Sequence, residues 1–239
     1  SFTYDDYGNT TELKDYGEVE VLDNSGEFKD IKNDLINSEN TYIYLENPYI
    51  VSHTSMETVK DIYGDIISQT QWFYDNLGFG SLLKGNITEI KKRSDVDGNF
   101  ISTKYTYNKY GLVESMTNPR GFKTRYSYDT YNLYPFEIIN SYNHKETHEY
   151  DYRFGSLLQT TDPNGNIQKW EQDPFGRLTK YLVSDLDNIN QLSLSLENSY
   201  YFSESVPYTK SIEYGNNYAK ESRSYVNGFG KTLQVRTEA

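Results

Sequence analysis

The stretch Tyr150–Arg177, YDYRFGSLLQTTDPNGNIQKWEQDPFGR, contains Asp-Pro-x-Gly twice, at Asp162 and at Asp173. Two aspartates this close in sequence admit three roles. They can be catalytic carboxylates sharing a proton, oxygen ligands for a calcium ion, or punctuation between strands. The residues around them decide, and with them whether the chain reads as an enzyme.

A short signature, aromatic-x-aromatic followed by Asp or Asn, recurs along the chain. It reads Trp72-Phe73-Tyr74-Asp75, Tyr105-Thr106-Tyr107-Asn108, Tyr126-Ser127-Tyr128-Asp129, His148-Glu149-Tyr150-Asp151 and Trp170-Glu171-Gln172-Asp173. From Tyr107 the steps to Tyr128, Tyr150 and Gln172 are 21, 22 and 22 residues. A second series keeps the same phase. The turn residues Gly121, Asn143 and Gly165 lie 22 apart, each seven positions before Tyr128, Tyr150 and Gln172.

Between these markers the sequence alternates with period two, as in Thr103, Tyr105, Tyr107, in Thr124, Tyr126, Tyr128 and in His148, Tyr150, Tyr152, Phe154. Turn clusters such as Asp95-Val96-Asp97-Gly98-Asn99, Asn118-Pro119-Arg120-Gly121 and Asp162-Pro163-Asn164-Gly165-Asn166 bound the alternating segments. A lone hairpin is marginal in water, so each must bury its aromatic face on the next. The expectation is an all-β protein of stacked antiparallel β-hairpins forming a curved sheet. Its repeat signature is carried, in structural roles, by Tyr107, Gly111, Pro119, Gly121, Tyr128, Asp129, Tyr150, Asp151, Gly155, Asp162, Pro163, Gly165, Asp173, Gly176 and Arg177. Three regions follow: a degenerate β-rich part over 1–71, the hairpin array over 72–183, and a less regular β region over 184–239 that ends in the start of a further unit. Within the first, Phe28, Ile31, Leu35 and Ile36 are spaced for one short helix.

Composition supports order without a large aliphatic core. Mean hydropathy is −0.81, yet 25 tyrosines, 11 phenylalanines and two tryptophans make the chain 16% aromatic, unlike disordered sequences. The net charge of −12 would repel phosphates and anionic lipid, so neither nucleic acid nor a membrane surface is expected as partner. No run approaches the roughly 18 apolar residues of a spanning helix. No signal peptide is visible at Ser1, which assigns any export to sequence outside this stretch. With no cysteine there is neither disulfide nor thiolate chemistry.

The sharper chemical readings fall to the repeat. Asp162 sits at the phase of Asn118, and Asp173 at that of Asp129, so their place in the repeat explains both without catalysis. An EF-hand loop built around Gly98 would put Arg93 and Lys104 where calcium needs oxygen ligands, so a hairpin turn is expected there. His144 and His148 are four apart without a helical pattern, and no metal or cofactor is expected. Asn227-Gly228-Phe229-Gly230-Lys231 lacks the spacing of a phosphate loop. The glycosylation tripeptides Asn9-Thr10-Thr11 and Asn86-Ile87-Thr88 are short enough to arise by chance. Tyr105, Tyr107, Tyr126 and Tyr128 admit two roles, as packing between hairpins or as a face that stacks glycans. With so few aliphatics available, packing is the stronger reading.

Tyr150-Asp151 with Gly155, Asp162-Pro163-Asn164-Gly165-Asn166 and Gln172-Asp173-Pro174-Phe175-Gly176-Arg177-Leu178 resemble the Rhs, or YD-repeat, proteins. Gly85-Asn86-Ile87-Thr88, Asn118-Pro119-Arg120-Gly121, Tyr134-Pro135, Asn140 with His144, and Tyr150-Asp151-Tyr152-Arg153-Phe154 are similar to one branch, the B component of bacterial Tc toxin complexes and related virulence-plasmid-B-type proteins. The likeness covers about Gly85–Leu182; in the tail, Asn227, Phe229 and Lys231 depart from the branch's Asp-Gly-Leu-Gly-Arg. The resemblance implies a segment of a hollow β-shell in a secreted bacterial toxin. That shell encloses a toxic C-terminal polypeptide, so the implied partners are the rest of the shell, its cargo and other toxin-complex subunits. It implies no catalysis in this segment. The rival expectation is a cell-surface YD-repeat adhesin that binds carbohydrate through the tyrosine face.

Overall fold

A computed structural model describes every residue except 23–25, 33, 186, 187, 190, 217 and 239. The described residues contain strands and turns and no helix, and eighteen of the twenty strands are assigned to one antiparallel sheet. The chain divides into two compact units, Ser1–Arg125 and Tyr126–Ala239.

The first unit holds β1 (Phe2–Tyr4), β2 (Thr10–Asp15), β3 (Val19–Val21), β4 (Phe28–Asp30), β5 (Ile36–Leu45), β6 (Ile50–Lys60), β7 (Ile66–Tyr74), β8 (Ile87–Arg93), β9 (Phe100–Tyr107), β10 (Val113–Thr117) and the start of β11 (Lys123–Tyr128). Each strand pairs antiparallel with the next, except that β3 and β4 form their own small hairpin and β2 pairs with β5 past them. The second unit runs without interruption through β12 (Pro135–Ile139), β13 (Lys145–Asp151), β14 (Ser156–Thr161), β15 (Ile167–Gln172), β16 (Leu178–Ser184), β17 (Leu192–Tyr201), β18 (Tyr208–Gly215), β19 (Tyr218–Val226) and β20 (Thr232–Thr237). Sequence neighbours are spatial neighbours throughout that series.

The short helix expected near residue 30 does not form. Phe28 lies in β4 opposite Val21, and Ile36 opens β5. The polar residues between them explain the outcome: the Asp30 carboxylate accepts the amide N–H of Lys32 at 3.1 Å, a local turn that competes with helix nucleation.

Register slips recur at one place in the repeat. Bulges fall between Phe73 and Tyr74, between Glu149 and Tyr150, and between Glu171 and Gln172, each just before the Asp that ends the signature. A bulge adds a residue to one strand, increases its local twist and re-aims the side chain that follows. Strict alternation therefore fails where the signature sits.

Burial is thin for a chain of this length. Among the described residues the buried apolar side chains are Ile43, Tyr74 and Leu82, with Leu45, Ile50, Trp72 and Ile87 packed against them. Most strand residues in both units are half-buried. Cohesion must come from ladder hydrogen bonds and cross-strand pairs rather than from a closed core.

Candidate functional site

The aspartates of the opening stretch belong to a family of identical turns. Among the described residues, Asp5, Asp61, Asn108, Asn118, Asn140, Asp162, Asp173 and Asn227 each start one. In every case Oδ1 accepts the amide N–H of the residues two and four positions on. The residue three positions on returns its N–H to the backbone carbonyl of the first. That residue has a positive φ and is Gly in seven turns and Asn143 in the eighth. This is the three-residue hairpin loop closed by a left-handed residue, the position where glycine meets least steric resistance. Pro119 and Pro163 take the second place, where a φ near −65° is wanted.

From Asn118 the Asp or Asn recurs every eleven residues, at Asp129, Asn140, Asp151, Asp162 and Asp173. The two Asp-Pro-x-Gly copies are thus the same turn at the two ends of β15. That strand's six residues, at about 3.3 Å each, hold the turns roughly 20 Å apart. No proton can be shared over that distance. Their electrostatics agree, because a shared proton would raise one carboxyl and both of these are lowered. A hydrogen bond from the Asn166 side chain, helped by backbone N–H groups, lowers Asp162. Desolvation pushes Asp173 up, but the Arg177 side chain and the amides of Arg177 and Phe175 hold it below its usual value.

The turns at Asp129 and Asp151 are variants. The Asp129 N–H reaches the carbonyl of Tyr134, one residue beyond the usual place, and the Asp151 carbonyl accepts the N–H of Gly155 at 2.8 Å as well as that of Phe154, three on, at 3.3 Å. Asp151 is buried and held by Arg153, whose Nη2 lies 2.6 Å from Oδ2. Gly155 is required by space as well as by its φ of 68°, since a Cβ there would lie 2.7 Å from the Tyr134 hydroxyl. At Gly176 a Cβ would meet the Phe154 ring at 2.7 Å, so this turn is seated against an aromatic from the Asp151 turn, two turns earlier in the chain.

Arg177 has the widest reach in the signature. Its Nε donates to Asp173 Oδ2 at 2.6 Å, and its guanidinium lies 4.4 Å from the Tyr200 ring centroid, 5.1 Å from Phe175 and 5.2 Å from Phe202. It ties its own turn to β17, two dozen residues on.

The tyrosines form a second set of ties. Tyr42 donates its hydroxyl to Thr10 O at 3.0 Å, Tyr74 to Thr54 O at 2.7 Å, Tyr107 to Ile87 O at 2.6 Å and Tyr200 to Leu178 O at 2.8 Å. Each acceptor is a backbone carbonyl on the neighbouring strand. Burial raises the phenols of Tyr107 and Tyr200 and pushes Tyr74 up to about 12. Tyr150 instead stacks on Tyr134, ring centroids 4.6 Å apart. Tyr105, Tyr126 and Tyr128 are half-buried on their strands. Tyr42 and Tyr200 escaped the sequence reading because neither falls in phase with the signature, and a hydroxyl's acceptor on another strand leaves no local trace.

Asp97 occupies a turn and accepts the amide and side chain of Asn99. His144 closes the Asn140 turn, and His148 lies on β13 with its Nε2 3.6 Å from Glu146.

Comparison with known proteins places this geometry. No family model matches the chain, and no curated protein matches it. Solved structures do. The chain aligns with a crystal structure of TcdB2-TccC3 over 98% of its residues, at a TM-score of 0.66 and 10% identity. A crystal structure of TcdB2-TccC3-Cdc42 gives 0.61 and 9% over the same share. The likeness is one of fold. In both cases the chain spans 18% of the matched chain, so it corresponds to a segment of a much longer polypeptide there. The aligned share of 98% takes in strands outside the regular repeat.

Proposed function

We propose that this chain is a structural, non-catalytic segment of an Rhs-type β-shell that encloses the toxic polypeptide of a secreted bacterial toxin. The observation that carries the reading is the near-complete alignment of this hairpin ladder with one segment of TcdB2-TccC3. The thin burial supports it. A free-standing domain of this size would hide far more apolar surface than the described residues do, whereas a wall segment leaves faces for neighbouring wall and cargo. Its partners on this reading are the flanking shell strands, the enclosed polypeptide and other toxin-complex subunits. The repeat serves as wall: turns that need only Asp or Asn and Gly, and ties that use tyrosine hydroxyls.

The adhesin reading through Tyr105, Tyr107, Tyr126 and Tyr128 has less support, since these rings are half-buried and the Tyr107 hydroxyl is bonded to Ile87. The test uses the full-length parent chain under limited proteolysis. Its C-terminal polypeptide should resist digestion in the intact protein and become digestible once the segment 1–239 is removed. Equal digestion in both would refute enclosure by this segment.

A further inference from the structure

The turn series is broken between β7 and β8, where ten residues, 76–85, lie between the closing pair Asp75 and Asn86 in place of the usual three. The replacement is tightly built. Asp75 Oδ2 accepts the amide N–H of Leu83, Lys84 and Gly85 at 2.8, 2.7 and 2.9 Å, and Oδ1 accepts that of Asn86 at 3.1 Å. Burial pushes this carboxyl up, but the four amides hold it below its usual value. Asp75 and Asn76 both take left-handed backbone, with φ of 54° and 58°, uncommon for residues other than glycine. The Asn76 N–H is bonded to Thr88 Oγ1, and Leu82 is buried with Ile43 and Tyr74. A loop this long, strained at its start and pinned at both ends, is where fixed binding geometry is expected.

Beside the loop lies a cavity of about 380 Å³, lined by Asn76, Leu83, Lys84, Asn86, Tyr107 and Asn108. Asp75 also borders it, its oxygens already filled by the four amides. Among the described residues the side chains of Asn76, Lys84 and Asn86 have no hydrogen-bond or ion-pair partner. Two free amides and a free ammonium thus border one cavity, with Leu83 and Tyr107 as its apolar wall. Ligand sites run from about 300 to 1,000 Å³, so this volume suits a single sugar ring. Amides match hydroxyls as donor and acceptor together, and an ammonium selects an anionic substituent.

We propose that this cavity binds an acidic monosaccharide, with Lys84 on the carboxylate, Asn76 and Asn86 on ring hydroxyls, and Leu83 and Tyr107 against its C–H face. The site is independent of the shell function and stands or falls without it. The test is calorimetry and saturation-transfer NMR on the 239-residue chain with glucuronate, methyl β-glucuronide and glucose. Glucuronate should bind saturably and glucose at least about tenfold more weakly. Lys84→Gln should lower the glucuronate affinity about tenfold and abolish the preference over glucose. Asn76→Gly, which keeps the left-handed backbone, should weaken both sugars. Binding of the methyl glycoside equal to that of glucuronate would identify the ligand as a glycan terminus, and its loss would identify a free sugar acid. Absence of saturable glucuronate binding, or an affinity unchanged in Lys84→Gln protein of native circular dichroism, would overturn the proposal.

Discussion

Replacing Tyr74 by Phe isolates one tie of the tyrosine ladder. The ring stays, so the packing against Ile43 and Leu82 is preserved, and only the hydroxyl that donates to Thr54 O at 2.7 Å is lost. Tyr74 is only 3% exposed, so water cannot readily replace that donor. An intramolecular hydrogen bond contributes about 1 kcal/mol net, and a buried acceptor left short of a partner costs about 1–3 kcal/mol. The expected loss is therefore about 1–2 kcal/mol. With a urea m-value of about 2 kcal/mol/M, the unfolding midpoint falls by roughly 0.5–1 M, with the slope unchanged. Tyr74→Ala, which also empties the cluster, should cost about 3–5 kcal/mol. Urea titration followed by circular dichroism reads both. If Tyr74→Phe matches the wild-type midpoint, the hydroxyl is not a tie and the ladder argument fails; if it matches Tyr74→Ala, the ring contributes nothing.

Further predictions follow from the turns and their partners. Asp162→Asn and Asp173→Asn should leave both chain length on a gel and fold unchanged, because Asn already starts the same turn at positions 118, 140 and 227; a change in processing would reinstate catalysis at these carboxylates. Arg177→Ala should lower stability by about 1–2 kcal/mol through its stacking on Tyr200 and Phe202, and Arg177→Lys should restore only part of it, since an ammonium cannot lie flat on two rings. Equal stability of the Lys variant and wild type in urea would remove stacking from the account. In alkali, Tyr74 should ionise late, with a phenol pushed to about 12 from 10 by burial, alongside Tyr44, whose hydrogen bond to Asp5 raises it to about 12 as well. A raised folded-state pKa gives stability that is intact below pH 10 and is lost as pH rises from 10 towards 12. Ultraviolet titration of wild type against Tyr74→Phe should therefore show the late amplitude near pH 12 reduced by one tyrosine, Tyr44 supplying the remainder, and loss of amplitude near pH 10 instead would contradict the burial argument.

Much of the architecture could be read along the chain because a hairpin ladder makes it local. Each regular turn is specified by four or five consecutive residues, and, apart from the β3–β4 hairpin that β2 and β5 pair past, each strand pairs with the one that follows it. Asn118-Pro119-Arg120-Gly121 and Asp162-Pro163-Asn164-Gly165 announce their turns through side chains that bond their own backbone. The same locality misled in two places. Reading a 22-residue unit divided Asp162 from Asp173, although the physical period is eleven and each starts a turn of the same kind. The apolar spacing around Phe28 and Ile36 suggested a helix, but an aspartate turn at Asp30 and pairing with β3 prevailed.

The sequence by itself determined the all-β class, the position of the regular turns and the acidic, aromatic character, because these depend on period, turn chemistry and composition. Tertiary structure alone decided which groups meet across strands. Tyr107 finding Ile87, Arg177 lying between Asp173 and Tyr200, and Asp75 gathering four amides all join atoms from separated positions, and a bulge sets which way the side chain after it points. No local pattern encodes such meetings. They depend on strand register, which is settled only when the whole ladder pairs.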